Sequence, residues 1–213
     1  GCFLRLPLNF VKKMRAEGIH CVTFNRFVPV LNAIQNYRDH RKIIVVDGKI
    51  AYTGGLNIAD EYVNIKSPFG HWKDTGVRVE GSAAWSFTLM FLETWQFVTT
   101  KAWKPNVQIA DDVKAFYPWR ETPCPIQKHD SFVLPFADSP LDNEHVTDHV
   151  YTQMITKARK YVYIMTPYLI IDDAMTTALV TAAKCGVDVR IMTPHIPDKK
   201  IIFAMTHSYY PRL

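Results

Sequence analysis

Two residues in the first third of the chain have side chains and spacing suited to chemistry on a phosphate. His40 and Lys42 stand two positions apart, and on a strand such side chains share one face, about 7 Å apart. The fixed ammonium favours the neutral imidazole through like-charge repulsion. A neutral ring nitrogen is a nucleophile, and an ammonium can hold a phosphate oxygen. The pair therefore predicts a phosphoryl-binding site that contains its own nucleophile.

A glycine pair and an asparagine follow this histidine. Gly54, Gly55 and Asn57 lie where a predicted strand ends and a short helix is predicted over 57–61. Backbone amides and a helix N-terminus bind anions, so this turn suits the remaining phosphate oxygens. An H-x-K pair alone matches many sequences by chance and could simply decorate an edge strand. The functional interpretation is favoured by the residues that follow His40 at fixed spacing, namely Asp47, the glycine pair and Asn57.

The elements around this segment alternate between helix and strand, which predicts the α/β class. Asp47-Gly48 between two β-branched runs is typical of a hairpin, and Gly18 and Gly186 each end a predicted helix. An aromatic-rich helix over 82–99 is predicted to be buried core, with a lipid interface as the alternative. The predicted helices are 8–16, 57–61, 82–99, 142–160, 172–185 and 198–212, and the predicted strands are 19–24, 41–46, 49–53, 75–80, 131–136, 161–166 and 187–192, with an irregular or short helical segment over 25–38.

The composition indicates a globular protein. The 213 residues carry a net charge of +5, and 48% of them are hydrophobic, which excludes disordered, collagen-like and coiled-coil proteins. No apolar run reaches the roughly 18 residues of a membrane-spanning helix. The four cysteines lack C-x-x-C spacing and are interpreted as reduced thiols of a cytosolic setting. The charge suits an anionic partner without choosing among phospholipid, nucleic acid and phosphate esters.

The chain is predicted to contain a duplicated domain. The order of helix, glycine and strand in Lys13–Phe24 recurs in Ala182–Met192, and a proline-rich linker over 104–128 separates the two copies. We expect a first domain over 1–125 and a second over 126–213. Because neither copy contains all the elements of the other, we also expect a fragment that is truncated at both ends.

One stretch of this sequence carries a known signature. H-x-K-x4-D from His40 to Asp47, followed by G-G-x-N from Gly54 to Asn57, is the motif of the phospholipase D superfamily. The sequence around this motif, and several segments after it, resemble bacterial cardiolipin synthases within that superfamily. The resemblance implies a bilobed α/β enzyme with a phospholipase D-like mixed sheet flanked by helices in each half. The matching segments are 37–42, 54–62, 71–75, 166–169 and 186–191.

The resemblance also implies a mechanism. One motif histidine attacks the phosphodiester and forms a phosphohistidine, and the histidine of a second motif protonates the leaving alcohol and then activates the acceptor. No metal and no cofactor is implied. In cardiolipin synthase, donor and acceptor are both phosphatidylglycerol, and the products are cardiolipin and glycerol. The implied partners are therefore this anionic phospholipid and a membrane surface, and nucleic acid is not expected.

The resemblance assigns roles to individual residues. His40 is the catalytic histidine, and Lys42, Gly55 and Asn57 contact phosphate oxygens. Asp74 matches the acid that hydrogen-bonds the histidine from behind, which would fix its tautomer and stabilise the charged intermediate; an exposed residue at the start of a strand is the alternative. Asp47 belongs to the motif, but its position in the hairpin turn favours a structural role.

This sequence departs from the family pattern in two ways. No second H-x-K-x4-D is present, so the predicted second domain lacks its catalytic motif, which is expected beyond Leu213. The membrane helices of the family are absent as well, although the resemblance implies a cell-membrane enzyme with its active domain on the cytoplasmic side. We therefore expect the parent protein to be the enzyme and this chain alone to be inactive.

Several alternatives remain open from the sequence. The chain could belong to another phospholipase D-type phosphodiesterase or nuclease, or it could be a non-catalytic lipid-binding piece. Glu144, His145 and His149 could be metal ligands, but the missing H-E-x-x-H order favours an exposed helix face. The basic residues near Lys12 and the tyrosines near Tyr161 are interpreted as an exposed face and as packing, respectively.

Overall fold

The computed structural model describes residues 6–24, 39–100, 111–124, 132–138 and 144–213. The chain divides into two compact units, and each is described separately below. The first unit comprises residues 1–56 and 75–135, and the second comprises 57–74 and 136–213. The predicted segment over 25–38 lies outside the described residues.

The first unit begins with helix α1, Phe10–Ala16. Gly18 has φ +81°, and the amide of Ile19 donates to the carbonyl of Met14 at 3.0 Å. This pattern closes the last turn of the helix, as the sequence predicted. The residues after it, 19–24, were predicted to form a strand, and that prediction is wrong. A strand requires a partner for its backbone groups, and no described strand pairs with this segment.

Three antiparallel strands form the sheet of the first unit. They are β1, Ile43–Val46; β2, Ile50–Gly54; and β3, Gly76–Glu80, in the order β1-β2-β3. The predicted hairpin is confirmed: Val46 pairs with Ile50, and Asp47 and Gly48 between them have φ of +54° and +67°. Aspartate and glycine tolerate this left-handed region better than other residues do, so this dipeptide allows the chain to reverse.

A long helix covers one face of this sheet. Helix α2, Ser82–Thr100, confirms the predicted helix, and its Ala84 and Phe87 are buried against Ala51 and Val79 of the sheet. The described part of the linker contains one short helix, α3, Asp111–Ala115. Phe91 of the same helix is 50% exposed, so the core interpretation holds for the residues that face the sheet and not for the whole helix.

The described residues of the second unit form a parallel pair of strands, three α-helices and a short 3₁₀ turn. Tyr161 of β4 pairs with Asp188 of β5, and their inner residues pack against a core that includes Ile155, Leu179 and Val187. Asp172 caps α5 by accepting from the amide of Met175 at 2.7 Å, and Gly186 at φ +89° ends it as predicted. The elements are α4, Val146–Lys157; β4, Tyr161–Met165; α5, Asp173–Lys184; β5, Asp188–Met192; and α6, Lys200–Tyr209, which a 3₁₀ turn extends through Tyr210–Arg212.

Three further sequence predictions are corrected in this unit and at its boundary. The described residues 132–136 are not a strand, because no described strand pairs with them. The helix predicted from 142 begins only at Val146, where the amide of Thr147 donates to the Asp138 carboxylate at 3.1 Å. Burial alone would raise the pKa of Asp138, but hydrogen bonds from Thr147 and the Val146 amide lower it below its usual value. Residues 57–61 form turns rather than a helix.

The proposed duplication is matched only in part. Both copies have a helix that ends at a glycine in the left-handed region, at Gly18 and Gly186, but a strand follows only in the second copy. Residues 57–74 group with the second unit rather than with the residues that flank them. The domain boundary at 125/126 and the duplication itself therefore stay predictions.

None of the helices in the described part of the chain is long and apolar enough to cross a membrane. Among the same residues, no group of three or more histidine, cysteine, aspartate or glutamate side chains could hold a metal ion. Glu144, His145 and His149 are exposed around the start of α4, as the favoured interpretation of an exposed helix face predicted.

The hairpin glycine makes a testable prediction about stability. A Cβ at Gly48 would lie 3.1 Å from Cδ of Pro118, whereas a Cβ at Gly18 would meet nothing within 4 Å. Gly18→Ala should cost only the strain of positive φ, about 1 kcal/mol. Gly48→Ala adds a steric clash and should cost about 2–4 kcal/mol in the free energy of unfolding. Urea unfolding of both variants measures the difference, and equal losses would show that Pro118 gives way.

Candidate functional site

His40 and Lys42 come together just before β1 begins. Nζ of Lys42 lies 2.8 Å from Nδ1 and 3.0 Å from Nε2 of His40. The sequence placed both residues on a strand about 7 Å apart, but the strand starts only at Ile43. The pairing between β1 and β2 ends at Ile43 and Thr53. Within the described residues the ladder does not extend to His40 and Lys42, so their side chains can turn toward each other.

This contact bears on the chemistry of the histidine ring. An ammonium has three donors and no acceptor, and its nearly equal distances to the two ring nitrogens do not single out the lone pair of either one. The lone pair of a neutral imidazole is the group that attacks phosphorus. His40 is exposed, so a substrate can reach it. The structure thus brings the imidazole and the ammonium into contact, and their roles as nucleophile and phosphate-binding cation stay predictions.

The residues on either side of His40 are bound to each other. The guanidinium of Arg41 donates from Nε to Oδ1 of Asp39 at 3.0 Å and from Nη2 to Oδ2 at 2.9 Å. The backbone amide of Arg41 also donates to Oδ1 of Asp39, at 2.9 Å. Nη2 of Arg41 also donates a hydrogen bond to Oγ1 of Thr94 on α2, at 2.8 Å. Sequence reasoning missed this group, although the order acid, histidine, base over 39–41 was a visible signal.

The charge state of Asp39 follows from these contacts. Burial alone would raise the pKa of Asp39, but the hydrogen bonds and the charge of Arg41 outweigh it and hold the pKa below its usual value. Asp39 is therefore ionised at neutral pH. Since the folded-state pKa is lowered, the stabilisation by this pair is present above the ordinary carboxyl pKa and is lost as the pH falls through the lowered value.

Gly54, the first glycine of the pair, is required by close backbone packing. A Cβ on Gly54 would lie 2.9 Å from Cα of Gly76 and closer still to the carbonyl oxygen of Thr75. The amide of Gly55 donates to that same carbonyl at 3.3 Å. This long hydrogen bond occupies the donor that the sequence assigned to phosphate, so phosphate binding by Gly55 stays a prediction that requires the bond to be exchanged.

Asn57 does not begin a helix. Its carbonyl accepts from the amide of Ala59 at 3.0 Å, which closes a tight turn instead of a helical one. Its side-chain amide donates to the hydroxyl of Tyr62 at 2.5 Å. Anion binding at a helix N-terminus is therefore withdrawn for this turn. The side chain of Asn57 remains a candidate phosphate donor.

The two acids of the predicted site lie in different local settings. Asp47 is exposed in the β1–β2 turn in the left-handed region, which supports its structural interpretation. Asp74 is exposed and lies two residues before β3, and it groups with the second unit, as Asn57 does. The roles of Asp47, Asp74 and Asn57 therefore stay predictions, whereas the contact between His40 and Lys42 is an observation.

Comparison with known proteins gives a consistent family. A family profile described as cardiolipin synthase, PLD-like domain, matches residues 151–213, which lie in the second unit. A cardiolipin synthase of Alkalihalophilus pseudofirmus is 36% identical over 210 residues, which are 98% of this chain and 40% of that protein. Cardiolipin synthase 2 of Bacillus cereus is 37% identical over 212 residues, again 98% of this chain and 39% of that protein.

A third relative has a name that states no activity. An uncharacterized protein of Streptococcus mutans is 44% identical over 208 residues, which are 98% of this chain and 42% of that protein. The chain thus spans about two fifths of the length of the curated relatives it matches. No solved structure shows a significant match to the chain.

Proposed function

Because this chain is a cardiolipin synthase-like protein of the phospholipase D superfamily, we propose that it works as part of a phosphatidyltransferase that makes cardiolipin from two phosphatidylglycerol molecules. The observation that carries this proposal is the contact of 2.8 Å between Lys42 Nζ and a ring nitrogen of His40. This contact joins a nucleophile to a phosphate-binding cation. The proposed substrate is an anionic phospholipid, and the proposed place of work is the cytoplasmic side of the cell membrane.

The first proposed step is attack by His40. Its ring nitrogen forms a bond to phosphorus, and the bond from phosphorus to the glycerol oxygen of phosphatidylglycerol breaks. The departing alkoxide takes a proton from a general acid, for which the family resemblance supplies a second motif histidine. The products of this step are glycerol and a phosphatidyl group held on His40.

The second proposed step returns the enzyme to its starting state. The terminal hydroxyl of another phosphatidylglycerol gives its proton to the same second histidine, and its oxygen attacks phosphorus. The bond from phosphorus to the nitrogen of His40 breaks, and cardiolipin is released. Atoms and charge balance over the two steps, and no oxidant or reductant takes part.

Lys42 has two roles in this proposal. Before substrate binds, its ammonium lies against the ring of His40, 2.8 Å from one nitrogen and 3.0 Å from the other. The phosphodiester is an anion, and charge-assisted hydrogen bonds to anions are stronger than bonds to a neutral ring. We expect the phosphate to draw the ammonium to its own oxygen, which frees the ring nitrogen for attack. The side chain of Asn57 and the amide of Gly55 are the proposed further donors, and Asp74 is proposed to support the ring from behind.

The test uses the protein as its gene encodes it. Purified protein is mixed with phosphatidylglycerol vesicles, and equal amounts of cardiolipin and glycerol are expected. Samples quenched in neutral denaturant, which protects the P–N bond, should carry a phosphatidyl group on the peptide that contains His40. His40→Ala should lose both the product and the adduct. An adduct confined to another histidine would make His40 the acid, and phosphodiester cleavage without cardiolipin would favour the phosphodiesterase or nuclease alternative.

A further inference from the structure

We propose that Asp39, Arg41 and Thr94 form a clamp that holds His40 in the orientation in which its ring faces Lys42. These three are positioning residues, since they bind the backbone around His40 and not the substrate. The orientation itself is a property of the folded chain. Only its value for catalysis depends on the proposed function.

The clamp closes around the backbone of His40. Oδ1 of Asp39 accepts from the amide of Arg41 at 2.9 Å, which makes His40 the central residue of a hydrogen-bonded turn. The guanidinium of Arg41 donates to both carboxylate oxygens of Asp39, at 3.0 and 2.9 Å. A two-pronged contact of this kind fixes geometry as well as adding energy. Three hydrogen bonds therefore span the one residue between Asp39 and Arg41.

Thr94 anchors this turn to the core of the first unit. Its hydroxyl donates to the carbonyl of Met90 one turn earlier in α2, at 3.0 Å. The oxygen of that hydroxyl accepts from Arg41 at 2.8 Å. Because α2 packs on the sheet through Ala84 and Phe87, the guanidinium links the residues before β1 to a fixed element.

The position of His40 explains why a clamp is needed. His40 lies ahead of β1, so no strand ladder fixes its backbone. A nucleophile must be held close to its productive geometry, since small misplacements lose a large part of the rate. The clamp supplies the constraint that a strand would otherwise give.

A second pair in the same chain serves as a matched control. Asp188 and Arg190 have the same spacing, and Nε of Arg190 donates to Oδ1 of Asp188 at 3.0 Å. The residue between them is Val189, which packs against the core of the second unit. This pair lies within β5, where the pairing with β4 already fixes the backbone. It has the carboxylate–guanidinium pair of the clamp without a histidine to position, and its carboxylate also accepts from the hydroxyl of Tyr163 at 2.8 Å.

The experiment measures the reactivity of His40 directly. Diethyl pyrocarbonate acylates the unprotonated nitrogen of an accessible imidazole, and the contact with Lys42 competes for that nitrogen. Asp39→Ala removes the two-pronged contact with the guanidinium, here called the fork, and the hydrogen-bonded turn. It should raise the modification rate at His40 several-fold, as measured by mass spectrometry of the peptide that contains His40. Asp39→Asn keeps an oxygen acceptor for the turn, and Arg41→Lys removes the fork, so both should give intermediate rates. Asp188→Ala should leave the rate at His40 unchanged.

A second arm connects the clamp to catalysis. In the protein as its gene encodes it, Asp39→Ala should lower kcat for cardiolipin formation at least tenfold and leave KM nearly unchanged. Thr94→Val, which keeps the fork, should lower kcat less. Urea unfolding of each variant confirms that the chain is folded. Unchanged reactivity of His40 in both Asp39→Ala and Arg41→Lys would overturn the clamp. Raised reactivity in a protein that makes no cardiolipin would uphold the clamp and overturn the proposed function.

Discussion

The 213-residue chain is expected to release p-nitrophenol from the p-nitrophenyl ester of phosphatidic acid but not glycerol from phosphatidylglycerol. The two substrates share one lipid and one phosphorus and differ in the leaving group. Glycerol leaves as an alkoxide and needs a proton in the transition state, and a positioned acid contributes on the order of 10²–10⁴-fold. Nitrophenolate is a stable anion and leaves without one. The chain has no second H-x-K-x4-D to supply the acid.

Absorbance and adduct mass together measure this result. One equivalent of nitrophenol should appear per chain in a rapid burst, with a matching adduct on His40, because no second motif activates the acceptor that would remove it. His40→Ala should abolish the burst. Glycerol release from phosphatidylglycerol at a comparable rate, dependent on His40, would show that another residue or a second copy of the chain supplies the acid. The absence of any burst would remove His40 as the nucleophile.

The elements that the sequence predicted well are those with local signals. Asp47-Gly48 specifies its hairpin through two positive φ values. Asp172 and Gly186 specify the two ends of α5 through a side-chain cap and a left-handed residue. Each signal acts within a few residues and needs no partner elsewhere in the chain. The predictions at these positions therefore hold.

The elements that the sequence predicted wrongly depend on distant partners. Residues 19–24 and 132–136 have strand-like composition, but the described chain offers them no strand to pair with. Strand propensity reports how well a side chain fits a pleated, half-buried surface, so it has no effect without that surface. The helix predicted from Asn57 is absent for a different reason. The carbonyl of Asn57, which would accept within a helix, accepts instead from the amide of Ala59.

The candidate site shows the same division. The types and spacing of His40 and Lys42 predicted that they act together. Their direct contact was missed because a strand was assumed, and the strand begins one residue after Lys42. The anchor at Thr94 lies 53 positions from Arg41, and no local pattern predicts such a pair. Sequence thus proposed the reacting groups, whereas the contacts among Asp39, Arg41 and Thr94 became visible only in the structure.

Replacement of Lys42 by methionine is expected to slow the nitrophenol burst by about 10²–10³-fold, the usual cost of losing one donor to a developing oxyanion. Methionine keeps an unbranched side chain and removes only the charge and the donors. The ammonium that contacts His40 at 2.8 Å is the cation nearest the attacked phosphorus in the proposed complex. Its loss exposes the nucleophile but leaves the charge on the phosphate oxygens unbalanced, and the second effect should dominate.

The matched control for this variant is Lys184→Met, at the exposed end of α5. It removes the same charge from the net +5 of the chain and should leave the burst rate within about twofold, because the proposed reaction gives Lys184 no role and salt screens the charge of an exposed side chain. Lys42→Arg keeps the charge in a planar fork and should recover part of the rate. A Lys42→Met burst as fast as that of the unaltered chain would mean that the contact with His40 serves only the resting state, and that the phosphate is held by other donors.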